Sequence, residues 1–171
     1  MDVHKHGPTI LGPHDGAAGF LGTIGVRWLI DAKDSGDHFA LVEHPMAPRA
    51  LAAPLHRHSR EDEYSFVLEG QLGALLGDDV VYASPGDLVF KPRAQWHTFW
   101  NAGHTPARIL EIIAPAGFET FFREVVAQGG VTRIPPADFS DLCDAYGLEM
   151  QIDSVPDLVR RFDLRFPGTP L

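Results

Sequence analysis

Between Thr23 and Ile113 the sequence is a succession of short runs rich in β-branched and aromatic residues, separated by turn signals. That spacing predicts an all-β sandwich or barrel assembled from antiparallel hairpins. The predicted strands are Ile24 to Ile30, Phe39 to Glu43, Ala50 to His56, Tyr64 to Glu69, Leu72 to Leu76, Val80 to Tyr82, Asp87 to Lys91, Trp96 to Trp100 and Arg108 to Ile113. Between them, Glu69-Gly70-Gln71 and Gly77-Asp78-Asp79 suit tight turns, while Ser84-Pro85-Gly86-Asp87 and Asn101-Ala102-Gly103 suit wider ones. After Pro115 the period changes. Phe118, Phe121, Phe122, Val125 and Val126 recur at helical spacing and Gly129-Gly130 stops the run. A second short helix is expected over Ala137 to Tyr146, with Phe139, Leu142 and Ala145 or Tyr146 on one face and Gly147 at its end. Both helices are expected outside the barrel. The tail from Val155 to Leu171 carries Pro156, Pro167 and Pro170 around an Arg-rich centre and reads as extended or partly helical. The chain thus divides into an N-terminal extension (1–22), a barrel (23–114) and C-terminal helices with a tail (115–171), with no internal repeat.

Chemistry is concentrated around His56-Arg57-His58. Residues two apart on a strand project to the same side, so both histidines can point into the barrel, and Glu63 after the next turn can join them. His97 lies on a later predicted strand that pairing could bring opposite the first three. Taken alone, a His-x-His pair is as compatible with surface or hydrogen-bonded histidines as with a metal site. Glu61 and Asp62 flank Glu63 as possible substitutes, but Glu63 is favoured and Glu61 is expected to be surface charge. His104, in a Gly-His-Thr-Pro loop, is expected to be solvated, and His4, His6 and His14 lie in an N-terminal segment expected to be disordered.

The fixed spacing of these residues extends further. His56-x-His58, four residues, Glu63, six residues and Gly70 are followed by Gly86, five residues, Pro92, then Ala94, two residues, His97, three residues and Asn101. This resembles both motifs of the cupin superfamily over roughly Val26 to Ala114. The resemblance implies an all-β double-stranded β-helix, a jelly-roll barrel. It also implies one divalent metal per chain (iron, manganese, nickel, cobalt or zinc) held by His56, His58, Glu63 and His97. Ala94 departs from the family, which usually has glycine there for a turn or for close packing. The later stretch from Gly117-Phe118-Glu119 resembles the quercetin-dioxygenase-like members, which implies oxygenation of a small phenolic or enolisable compound with Glu63 as a catalytic base. The same scaffold in other relatives supports isomerisation or decarboxylation, or ligand binding without catalysis.

Alternation sets the expected wall of the pocket. With Glu63 inward, Ser65 and Val67 follow it and Tyr64 and Phe66 face out; Gln95, His97 and Phe99 share the interior while Trp96 and Trp100 pack elsewhere. Ser65, Gln95 and Phe99 are therefore the expected substrate contacts. Other classes are disfavoured by composition. A net charge of -9 with pI near 5.3 opposes binding to nucleic acid. The single cysteine, Cys143, rules out an internal disulfide framework and is expected to be plain helix packing. No secretory signal or long apolar run is apparent, so a cytoplasmic protein without membrane contact is expected. A homodimer through pairing of exposed strands is expected as well.

Overall fold

The computed structural model describes residues 9–167. The alternation read from the sequence is realised most clearly in two strands of one sheet. In Asp62–Glu69 (β5), Glu63, Ser65 and Val67 are buried and their neighbours are less so; in Ala107–Ala114 (β10), Ala107, Ile109, Glu111 and Ile113 are buried. These two strands pair antiparallel, with Ser65 opposite Glu111. Around them lie Ala18–Phe20 (β1), Gly25–Ile30 (β2), Ala40–Met46 (β3) and Leu88–Lys91 (β8), giving a six-stranded sheet of order β1-β2-β3-β10-β5-β8. The facing sheet, of order β11-β4-β9-β6-β7, comprises Leu55–His58 (β4), Leu72–Leu76 (β6), Asp79–Ala83 (β7), His97–Asn101 (β9) and Leu148–Gln151 (β11). All the named pairings are antiparallel. Their inner faces enclose the main core, so the architecture is the all-β double-stranded β-helix expected.

Helices form where the apolar period lengthens. After a single turn at Ala32–Ser35 (α1), the chain forms Glu119–Ala127 (α2) and Pro136–Ala145 (α3), which send Phe121, Val125 and Cys143 into the main core instead of packing only on the outside as expected, and Val155–Phe162 (α4). Cys143 is buried on α3, as expected. The tail is more ordered than its prolines suggest. Pro156 occupies the first turn of α4, where a missing N–H costs nothing, and Val155, Leu158 and Phe162 share a face. That face covers the outside of β9. Trp100 stacks on Phe162 at 4.3 Å and joins Leu51, Leu75 and Leu164 in a second core. This explains why every residue of β9 is buried rather than every other one. Gly73 on β6 makes room for the indole, since a Cβ there would meet Trp100 at 2.3 Å. Arg49 latches the segment, donating to the carbonyls of Asp163 at 2.8 Å, Ala102 at 2.6 Å and Phe162.

Two short strands have no counterpart in the sequence reading, β1 and β11. The latter extends the second sheet by pairing with β4, Leu148 opposite His58 and Met150 opposite His56. Among the described residues no helix is long and apolar enough to cross a membrane.

Candidate metal centre

Strand register assembles the site. His56 on β4 and His97 on β9 are direct cross-strand partners, with ring centroids 4.4 Å apart. His58, two residues along β4, projects to the same side, its ring 5.6 Å from His97. Glu63 reaches in from the other sheet: Oε1 lies 3.5 Å from His58 Nε2 and Oε2 lies 3.3 Å from His97 Nε2. One donor atom from each of the four residues falls within 4.8 Å of all the others, and all four residues are buried.

Two of the three imidazoles are turned for ligation by backbone carbonyls. His56 Nδ1 is 2.8 Å from the Pro54 carbonyl and His97 Nδ1 is 3.0 Å from the Gln95 carbonyl. A carbonyl only accepts, so these nitrogens carry the hydrogens and Nε2 keeps a lone pair. His58 Nε2 and His97 Nε2 are buried without a hydrogen-bond partner among the described residues. Unsatisfied buried nitrogens are costly, and a metal ion would satisfy them. Burial holds His56 well below the usual histidine range, and it brings His58 down to about 4, so both rings are neutral near pH 7. Burial opposes the charge on Glu63, but the Lys91 ammonium and the facing histidines outweigh it and keep the carboxyl well below its ordinary range. The residues present fit a single metal ion.

Behind Glu63 lies a charge cluster that the sequence did not reveal. Lys91 Nζ, fully buried, is 3.1 Å from Glu63 Oε2 and 2.8 Å from Glu111 Oε1. Glu111 in turn accepts a 2.7 Å hydrogen bond from Ser65 Oγ. The signal was parity: Lys91 shares the inward side of β8 with Val89, and Glu111 that of β10 with Ile109 and Ile113. Glu61 requires a correction. It is not surface charge but buried at 5% exposure, 3.7 Å from His58 Nδ1, because it has the same parity as Glu63 and leads into β5. Burial and the neighbouring Glu63 push its carboxyl up to about 7.

The cluster opens on a chamber of about 310 Å³. Its walls include Phe99 and, from α2 and the residue before it, Phe118, Phe121 and Phe122. Phe118 stands edge-on to His58 at 4.4 Å. Of the expected substrate contacts, Phe99 lines this chamber, Ser65 is committed to Glu111, and Gln95 is half-buried beside the turn at Gly77. Tyr64 and Phe66 face outward as expected. His44, which the sequence reading passed over, also lines the chamber; its inward parity with Val42 and Met46 was the available signal. His104 and His14 are exposed, and His4 and His6 lie outside the described residues.

The cupin domain family model matches residues 43–113, which include all four donors. The polyketide cyclase RemF of Streptomyces resistomycificus is 31% identical, the alignment covering 64% of this chain and 80% of that one with a TM-score of 0.55. The chain is a cupin. Lower in identity, a predicted oxalate decarboxylase of Thermotoga maritima is 20% identical over 54% of this chain and 80% of its own, with a TM-score of 0.51. KdgF from Halomonas sp. is 17% identical over 68% and 93%, also with a TM-score of 0.51. These two share the fold of this cupin. No curated protein matches its sequence.

Proposed function

We propose that this cupin is a metal-dependent enzyme that closes a ring in an enolisable, largely apolar polyketone or phenolic compound. The observation that carries the reading is the juxtaposition of a histidine and carboxylate donor set with a phenylalanine-walled chamber of about 310 Å³, near the lower end of small-molecule sites. The 31% identical relative is a polyketide cyclase, which points the same way. When bound, one divalent ion held by His56, His58, Glu63 and His97 would supply a Lewis acid for a substrate carbonyl. The rings of Phe118, Phe121 and Phe122 bind the carbon skeleton and exclude water. Lys91 holds Glu63 through Oε2, and Oε1, when it is not engaged as a donor, takes a proton from a carbon beside a carbonyl. The resulting enolate carbon bonds to a second carbonyl carbon of the same molecule, and the proton returns to that carbonyl's oxygen.

A second reading is oxygenation of the same class of substrate, as in quercetin-dioxygenase-like cupins. It is favoured by the donor set, since three imidazoles and one carboxylate leave positions open on a six-coordinate ion. The test is elemental analysis of untagged protein beside His56→Ala, followed by incubation with small diketones and a flavonol while oxygen uptake and product mass are recorded. About one metal per chain, lost in the variant, with a product of unchanged mass or one water lighter, supports ring closure. Oxygen uptake with both oxygen atoms recovered among the cleavage products replaces it with the dioxygenase. Equal metal content in both proteins, or none in either after reconstitution, overturns the site.

A further inference from the structure

Apart from the donor cluster and Glu111, the polar side chains in the chamber wall are Thr23, Thr132 and His44. Thr23 Oγ1 is committed to the Ala52 carbonyl at 2.7 Å, and Thr132 is exposed to solvent. His44 differs from both. It is 2% exposed, on β3, with the Phe122 ring edge-on at 5.3 Å and Phe99 tilted against it at 6.5 Å. Its Nδ1 lies 2.8 Å from the Gly25 carbonyl on β2. A carbonyl cannot donate, so Nδ1 carries the hydrogen, and a neutral ring then has a bare lone pair at Nε2. The two nitrogens point in nearly opposite directions. With Nδ1 turned to the sheet, Nε2 is left for the chamber.

We infer that His44 Nε2 is a specificity-determining acceptor that selects ligands bearing a phenol or enol hydroxyl, an inference resting on the proposal that the chamber takes such compounds. An acceptor set in an apolar wall is satisfied by a ligand O–H and left unpaired by the corresponding ether, which has no hydrogen to give. Burial brings the ring down to about 4, so it stays an acceptor throughout the neutral range. The backbone carbonyl that fixes the tautomer belongs to a strand rather than a loop, so the acceptor is held in place before any ligand arrives.

The test measures binding of 2-naphthol and its methyl ether to metal-loaded and metal-stripped wild type, His97→Ala, His44→Phe and His44→Gln. Each His44 variant is compared with wild type in the same metal state, because the metal, and in stripped protein the bare nitrogens of the donor cluster, also favour the hydroxyl compound. The expected result is a preference for 2-naphthol of about tenfold or more in stripped wild type and in His97→Ala. It falls by about tenfold in stripped His44→Phe and is regained in part with His44→Gln, which keeps an acceptor. Imidazole nitrogen resonances of the wild type give a reading independent of any variant's folding: the His44 Nε2 signal moves with 2-naphthol and not with the ether. An unchanged preference in His44→Phe, or an Nε2 signal indifferent to 2-naphthol, overturns the role of His44 and leaves the proposed function standing. Failure of every form to bind either compound overturns the chamber reading on which both rest.

Discussion

Lys91→Met removes the cation from the most heavily charged part of the interior while keeping an unbranched chain of similar length. In the native protein the ammonium is fully buried, 3.1 Å from Glu63 and 2.8 Å from Glu111, and it lies 4.5 Å from the Phe99 ring centroid. Without it two buried carboxyl groups lose their shared counter-charge. Breaking a buried ion pair from one side costs ~3–5 kcal/mol, most of it the penalty on the charge left behind. For a chain of 171 residues each kcal/mol moves Tm by ~2–4 °C, so metal-free Lys91→Met should melt about 6–20 °C below wild type. Glu111→Gln removes one of the stranded charges and still offers Ser65 an acceptor. The double variant should therefore be more stable than the sum of the single losses allows, by about 1–3 kcal/mol. Thermal melts followed by circular dichroism on the four proteins measure this directly. The loss should shrink when metal is added, because a cation at Glu63 replaces part of the missing charge. A Lys91→Met melt within about 1 kcal/mol of wild type, or strictly additive effects, would refute the charge-cluster reasoning.

Further expectations concern the backbone and pH. Ala94 has φ +65°, in the left-handed region where a Cβ costs about 1 kcal/mol, so Ala94→Gly should raise stability by a few tenths of a kcal/mol after the glycine's greater unfolded-state freedom is counted. Urea unfolding detects it; a clear loss of stability would show that the methyl group is needed for packing. Burial lowers His44 from 6.5 to about 4, so between those values the unfolded chain takes up a proton that the folded chain refuses. The His44 contribution to stability, about 3 kcal/mol, is full above pH 6.5 and is lost as the pH falls to about 4. Metal-stripped His44→Phe should show a shallower acid loss than wild type in urea titrations from about pH 7 to about pH 4.5, and parallel curves would exclude His44 as the source.

The legible parts of the molecule were those written in local pattern. The strands between Tyr64 and Leu76 are legible because glycine turns bracket them and the first alternates, and His56, His58, Glu63 and His97 converge as the family resemblance implies. What stayed hidden depends on neighbours far away in the chain. Leu148–Gln151 is four residues long and becomes a strand only because β4 offers it an edge. Glu61 is expected to be surface charge, and Lys91 and Glu111 draw no expectation, because charge normally marks the surface. The burial of Lys91 and Glu111 rests on a cluster drawn from three strands, which only the register brings together. Trp100 was rightly expected away from the interior, yet its cover, α4, was masked by the prolines around it.

The four donors belong to both halves of the sandwich, three to the sheet of β4 and β9 and one to the sheet of β5. An ion held there is a rivet between layers that are otherwise joined mainly by side-chain packing. Anything that binds only the folded state stabilises it by mass action, about 4 kcal/mol at a thousandfold excess over Kd. The melting temperature of this protein is therefore a gauge of which ion it prefers. Ranking iron, manganese, nickel, cobalt and zinc by the heat each lets the barrel withstand would identify the favoured occupant before any substrate is in hand.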